Sequence, residues 1–130
     1  MTTLLIKNIE ILVTMDDQRQ ELQHTNLFIK DGFIQAIGAL TDMPAKADQE
    51  IDLSGHIVFP GLVNTHHHFY QTLTRVVPKA QNANLFNWLV TLYPIWARMT
   101  PDDIRISTQT ALAELARSGC TTASDHLYLF

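Results

Sequence analysis

Apolar residues in the first half of the chain recur at every second position, the period of a strand with one covered face. Leu4 and Ile6 form one alternating group, and Ile9, Ile11 and Val13 form another, with the phase slipping at Lys7-Asn8. A bulged strand, or two short ones, over 4–14 accounts for the slip. Met15-Asp16-Asp17-Gln18 reads as a turn. Leu27 and Ile29 share a face in a strand over 25–30. Asp31-Gly32 then stands between two apolar runs, which predicts a hairpin into a third strand over 33–37. Residues 41–49 are polar and contain Pro44, so they predict a loop. Short strands are expected over 50–53 and 56–59, joined by a turn at Ser54-Gly55. The first 58 or so residues therefore predict a β-rich module.

The pattern changes at Pro60-Gly61. Val58 to Val63 is nearly continuous apolar sequence, as expected for a strand covered on both faces. Phe69 to Val77 predicts a short helix or ordered loop, stopped by Pro78. Asn84 can cap a helix that carries Leu85, Trp88, Leu89, Leu92 and Trp96 on one stripe, and Pro94 should kink or split it. The clearest helix follows. Thr100 suits its cap, Pro101 its first position, and Asp102 and Asp103 its positive end. Ile104, Thr108, Ala111, Leu112, Leu115 and Ala116 form the expected buried stripe, and Gly119 the stop. Cys120 to His126 is again β-branched and strand-like. The last part is thus a βαβ unit, whose strands should be parallel with a right-handed crossover.

Composition narrows the function classes. A hydrophobic share of 46% and a charged share of 17% fit a globular protein of one ordinary domain's length. The net charge is −4 and no basic run occurs, which argues against nucleic acid and anionic membranes as partners. Cys120 is the single cysteine and forms no internal disulfide; it suits a small buried position. No apolar stretch reaches about 18 residues, and Met1 to Asn8 lacks a signal-peptide pattern, so a cytoplasmic location is expected.

The chemistry concentrates in Pro60-Gly61-Leu62-Val63-Asn64-Thr65-His66-His67-His68. In an extended chain His66 and His68 point to one face and His67 to the other. Two neutral imidazoles on one face suit a divalent metal, with about 2.0–2.1 Å between nitrogen and zinc. For an isolated His-x-His the plainer reading is a polar strand end. Its place at the C-terminal end of a parallel strand, where such folds bind ligands, favours a metal site. His67 then packs or supports. Asp125 and His126 occupy the comparable place on the second strand. Asp125 suits a hydrogen-bonded strand end, or else support for a metal ligand or a substrate contact. Gln71 is either a surface helix residue or a partner for a polar substrate. Trp88 and Trp96 suit packing, and His24 and His56 a structural role. No dinucleotide or phosphate-binding glycine motif, no Gly-x-Ser-x-Gly and no Cys-x-x-Cys is present.

Pro60 to His68 resembles the first-strand motif of the amidohydrolase superfamily. Lys30-Asp31-Gly32-Phe33-Ile34 and Asp52-Leu53-Ser54-Gly55-His56 resemble the N-terminal part of its cytosine-deaminase and chlorohydrolase-like branch. His67-His68-Phe69-Tyr70-Gln71-Thr72-Leu73-Thr74-Arg75 and Ser118 to Tyr128 resemble the 8-oxoguanine deaminases and hydroxyatrazine aminohydrolases. The resemblance implies an α/β fold: the start of a (β/α)8 barrel over 59–130, preceded by a small β-sandwich-like segment over 1–58. It implies one divalent metal, usually zinc, on His66 and His68, and a substrate contact at Gln71. It also implies hydrolytic deamination of a small amino-substituted N-heterocycle, with 8-oxoguanine to urate in purine catabolism as the best match. A homo-oligomeric full-length enzyme follows by the same likeness. Two further histidines and an aspartate come from later strands in that family, so no catalytic residue is expected within these 130 residues. The expectation is an N-terminal piece of a longer enzyme, inactive alone and a weak metal binder. The alternatives are a hydrolase of triazines or other aminated or chlorinated rings, and a non-catalytic structural or interaction remnant.

Overall fold

The phase slip in the first apolar run is a bulge. In the computed structural model, which describes residues 2–128, β1 (Thr3–Val13) pairs antiparallel with β2 (Glu21–Lys30), and the register shifts between Ile6 and Ile9. Asn8 at the slip has a φ of 59°, and its N–H donates to Asn26 Oδ1 at 3.0 Å. The amide lost to the ladder is thereby satisfied by a side chain. β2 turns into β3 (Phe33–Gly38) through Asp31 and Gly32, with φ of 51° and 83°. Positive φ at both central positions is what a tight hairpin turn of matching twist demands. β4 (Gln49–Asp52) and β5 (Ile57–Val58) both run parallel to β1, at successive places along it.

These five strands are one sheet, in the order β3-β2-β1-β4 with β5 also on β1. They fall in one compact unit, Met1–Pro60. Leu5, Phe28 and Met43 bury together, as do Ile9, Leu12 and Leu27. From β1 the two clusters bury Leu5, Ile9 and Leu12, at about 1.5–3 kcal/mol for each fully buried aliphatic side chain, while Leu4, Ile6, Ile11 and Val13 of the expected alternating groups stay partly exposed. The expected sandwich-like segment over 1–58 holds, among the described residues, this single sheet within the unit Met1–Pro60. The predicted loop over 41–49 holds a 3-10 turn at its start, Leu40–Asp42, and yields to β4 at Gln49.

The second unit is Gly61–Phe130. β6 (Leu62–His67) and β7 (Cys120–Asp125) pair in parallel, as a βαβ unit requires. Between them lie 3-10 turns at Phe69–Thr74 and Pro78–Ala80, then α1 (Leu85–Trp96) and α2 (Pro101–Arg117). Asn84 Oδ1 accepts from Asn87 N–H at 2.9 Å and caps α1. Pro94 neither splits nor ends the helix, which continues to Trp96. Its missing N–H removes the bond to the carbonyl four residues back, and the helix runs only two residues past it. Thr100 and Asp103 form a reciprocal capping box at the start of α2. Gly119, at φ 81°, ends it.

Tyr70, Ala80, Leu92 and Trp96 form the buried centre of this unit, with Val77, Trp88, Leu89, Met99 and Ile104 packed around them. Leu85 is 72% exposed and leaves the predicted stripe of α1. On α2 the buried face centres on Ser107 and Ala111, while Leu112 is half-exposed. The Ser107 hydroxyl donates to Phe69 O at 2.6 Å, and that bond turns this face inward.

The expected strand over Val58–Val63, covered on both faces, is corrected. Val58 belongs to the first sheet, β6 begins at Leu62, and Leu62 and Val63 are 50% and 63% exposed. Pro60 has no N–H to extend a ladder, and β7 is the one strand beside β6 among the described residues. Among those residues no helix is long and apolar enough to cross a membrane.

Candidate metal centre

β6 delivers its histidines as strand alternation dictates. The His66 and His68 rings lie 5.1 Å apart, edge to face. His67 turns away: its ring packs 4.8 Å from Phe69, and its Nδ1 is buried without a hydrogen-bond partner among the described residues. His68 lies just beyond the strand, at φ −131° and ψ 87°. The His126 ring joins the pair, 5.4 Å from His66 and 5.5 Å from His68.

The ends of β6 and β7 are tied by three hydrogen bonds. His126 N–H donates to His67 O at 2.9 Å. Phe69 N–H donates to Asp125 Oδ1 at 2.8 Å. His68 Nδ1 lies 2.8 Å from His126 O. A carbonyl only accepts, so Nδ1 carries the proton and Nε2 the free lone pair. This is the arrangement in which a metal-binding imidazole is held by its other nitrogen.

His66, His67, His68, Gln71, Thr72 and Arg75 line a cleft of about 240 Å³. Gln71 Nε2 donates to Tyr70 OH at 2.9 Å, and its own N–H donates to His68 O at 3.0 Å. Burial holds the Tyr70 phenol above its ordinary range. Arg75 makes a two-pronged pair with Glu114 at 2.7 and 2.8 Å, which holds the Glu114 carboxyl below its ordinary range. Arg75 is thus occupied by Glu114 at the cleft's edge.

The donor set fits part of a zinc site. Two imidazoles stand on one face, one of them with its Nε2 lone pair assigned by a hydrogen bond. No group of three or more His, Cys, Asp or Glu among the described residues is arranged to hold a metal ion. The His126 ring is close to the pair yet completes no such group.

Other candidates separate from this place. His56 Nδ1 bonds Ser54 O at 2.9 Å in the first unit, and His24 is exposed beside Glu10 there. Trp96 is buried, and Nε1–H donates to Thr74 Oγ1 at 3.0 Å. Cys120 is half-buried rather than fully so, because β7 lies at a sheet edge. Ser107 was not legible as a site residue, since its partner Phe69 is 38 positions away. A small polar residue four positions before Ala111 on a helix's inner face was the available signal.

Residues 57–129 match the model of the amidohydrolase family. The chain belongs to the amidohydrolase family. It is 53% identical over 105 residues to the 8-oxoguanine deaminase of Pseudomonas aeruginosa, covering 80% of this chain and 23% of that one. It is 36% identical over 138 residues to the hydroxydechloroatrazine ethylaminohydrolase of Pseudomonas sp. strain ADP, covering 98% and 29%. Among solved structures it is similar to a mutant atrazine chlorohydrolase from Arthrobacter aurescens, complexed with zinc and atraton. The TM-score there is 0.87 at 32% identity, covering 96% of this chain and 29% of that one. An adenosine deaminase from Xanthomonas campestris with bound zinc gives 0.85 at 25% identity, covering 98% and 29%. The chain thus spans between 23% and 29% of the length of these relatives. The mixed α/β fold of this amidohydrolase chain is the one it shares with the triazine hydrolases.

Proposed function

We propose that this chain supplies the first metal-binding strand of an aminohydrolase that removes an amino group, as ammonia, from an N-heterocycle. The best single substrate is 8-oxoguanine, converted to urate. The observation that carries the reading is the His66–His68 pair, with His68 Nδ1 held by the His126 carbonyl. The identity to the 8-oxoguanine deaminase, 53%, supports the substrate. In this reading β6 and β7 are the first two strands of a (β/α)8 barrel, and the five-stranded sheet is part of a small β domain.

His66 and His68 would hold one divalent metal, zinc in the first instance, through neutral ring nitrogens. The metal, when bound, supplies Lewis-acid activation of water. His68 needs no rearrangement to ligate, because its proton already sits on Nδ1. Gln71, on the cleft wall, would hydrogen-bond a polar ring edge, and its amide is steadied by Tyr70 OH. Proton transfer at the substrate falls to groups outside these 130 residues, as the family resemblance implies. The substrate is a small molecule, and the working enzyme is a homo-oligomer.

A triazine substrate is the second reading, favoured by the TM-score of 0.87 to the chlorohydrolase solved with atraton. Assaying the enzyme that carries this strand for ammonia release from 8-oxoguanine and from hydroxyatrazine separates the two. Faster release from 8-oxoguanine, lost in His66→Ala and His68→Ala, is expected. Turnover of the triazine alone would replace the first reading, and activity indifferent to both substitutions would remove the metal role.

A further inference from the structure

We propose that Asp125 is a positioning residue for His68. Its carboxylate anchors the Phe69 amide, so that His68 keeps Nδ1–H on the His126 carbonyl and presents Nε2 to a divalent metal ion. The proposal rests on the ligand reading of His66 and His68 given above.

The geometry is a clamp on the peptide that follows the ligand. β6 ends at His67, so Phe69 N–H has no strand partner and would otherwise turn to water. Asp125 Oδ1 takes it at 2.8 Å, a charge-assisted bond. Ser107, fully buried on α2, donates to Phe69 O at 2.6 Å. Both polar groups of Phe69 are therefore fixed by side chains far away in sequence. The Phe69 amide is part of the peptide whose rotation is the His68 ψ, so holding that amide holds the His68 backbone, at a ψ of 87°. The ring is set by the next residue along, since His126 O receives His68 Nδ1–H at 2.8 Å and His126 N–H holds His67 O at 2.9 Å. Asp125 and His126 thus govern backbone and side chain of one ligand together.

The test reads the ring proton of His68 directly, without turnover. Long-range nitrogen–proton NMR on the metal-free 130-residue chain at pH 8 reports whether Nδ1 or Nε2 is protonated, and zinc affinity is measured by competition with a weak chelator. In the wild type His68 is expected as the Nδ1–H form. Asp125→Ala should mix the two forms and weaken zinc by about 10–100-fold. Asp125→Asn, which keeps an oxygen acceptor at the same reach, should restore both readings. Asp125→Ser, too short to reach the amide, takes the place of Asp125→Ala should that variant not fold. A folded Asp125→Ala or Asp125→Ser with unchanged His68 protonation would reduce Asp125 to a strand-end cap and overturn the proposal. A shift in protonation with zinc binding that never touches His66 or His68 would instead overturn the ligand reading on which the proposal rests.

Discussion

The two sheets of this chain are held by opposite means. The five-stranded sheet is secured at its centre, β1 and β2, by apolar burial, with Leu5, Ile9, Leu12, Leu27 and Phe28 all out of water, while Phe33, Ile34 and Ile51 on β3 and β4 stay exposed. Its register is written locally, by the Asp31-Gly32 turn and the bulge at Asn8. The β6–β7 pair carries exposed Leu62 and Val63 at its start and is secured at its other end by polar bonds. Apolar burial tolerates small shifts, whereas directional hydrogen bonds fix torsions. The end that is fixed by direction is the end that carries His66 and His68. The helical part of the same unit has its own apolar centre at Trp96, so the contrast is between sheets.

Substitutions can break this contrast. The largest effect is expected at Trp96, which is 1% exposed and also donates to Thr74. Trp96→Ala should cost about 3–5 kcal/mol in chemical denaturation, with Trp96→Phe losing less. Ile9→Ala should cost about 2–5 kcal/mol and raise amide exchange throughout β1 and β2. Protection in those strands that survived the change would show that burial does not hold the first sheet.

Gly61→Ala probes the open sheet. A Cβ there would fall 2.7 Å from Thr121 Cβ and closer still to its two branches. The crowding should cost about 1–3 kcal/mol and expose the Leu62 amide, which now donates to Gly119 O at 2.9 Å. An unchanged Leu62 exchange rate would mean that this close approach is not needed for pairing.

The smallest effect is electrostatic and belongs to the first sheet. The Ser54 hydroxyl and N–H, with the Asn8 amide, lower the Asp52 pKa from its ordinary 3.8 to about 2. The folded value lies below the unfolded one, so the stabilisation is complete above about pH 4 and is lost as pH falls toward 2. Asp52→Asn should flatten that acid limb in a pH series of thermal melts. A limb as steep as in the wild type would assign it to other carboxylates.

Local signals made much of the fold legible. Asp31-Gly32, Asn84 and Thr100-Pro101 each act within a few residues, and each forms the turn or cap its chemistry predicts. The alternation through His66 and His68 likewise foretold their shared face. What escaped depends on distant partners. Ser107 reads as a neutral helix residue until Phe69 O is brought to it, and Asp125 reads as a strand end until the Phe69 amide arrives. Leu62 and Val63 read as buried because apolar runs assume covering layers, and β7 is the one neighbour described for β6. Pro94 is a helix breaker by type, yet α1 passes it and ends two residues later at Trp96.

The central claim is that the end of β6 is a metal centre. It is tested most directly by titrating cobalt(II) into the metal-free chain while following the ring signals of all six histidines. The account predicts that His66 and His68 broaden first and together, that binding is weak, and that His68→Ala abolishes this early response. Early broadening centred on His24 or His56, or an equal response from all six rings, would contradict it.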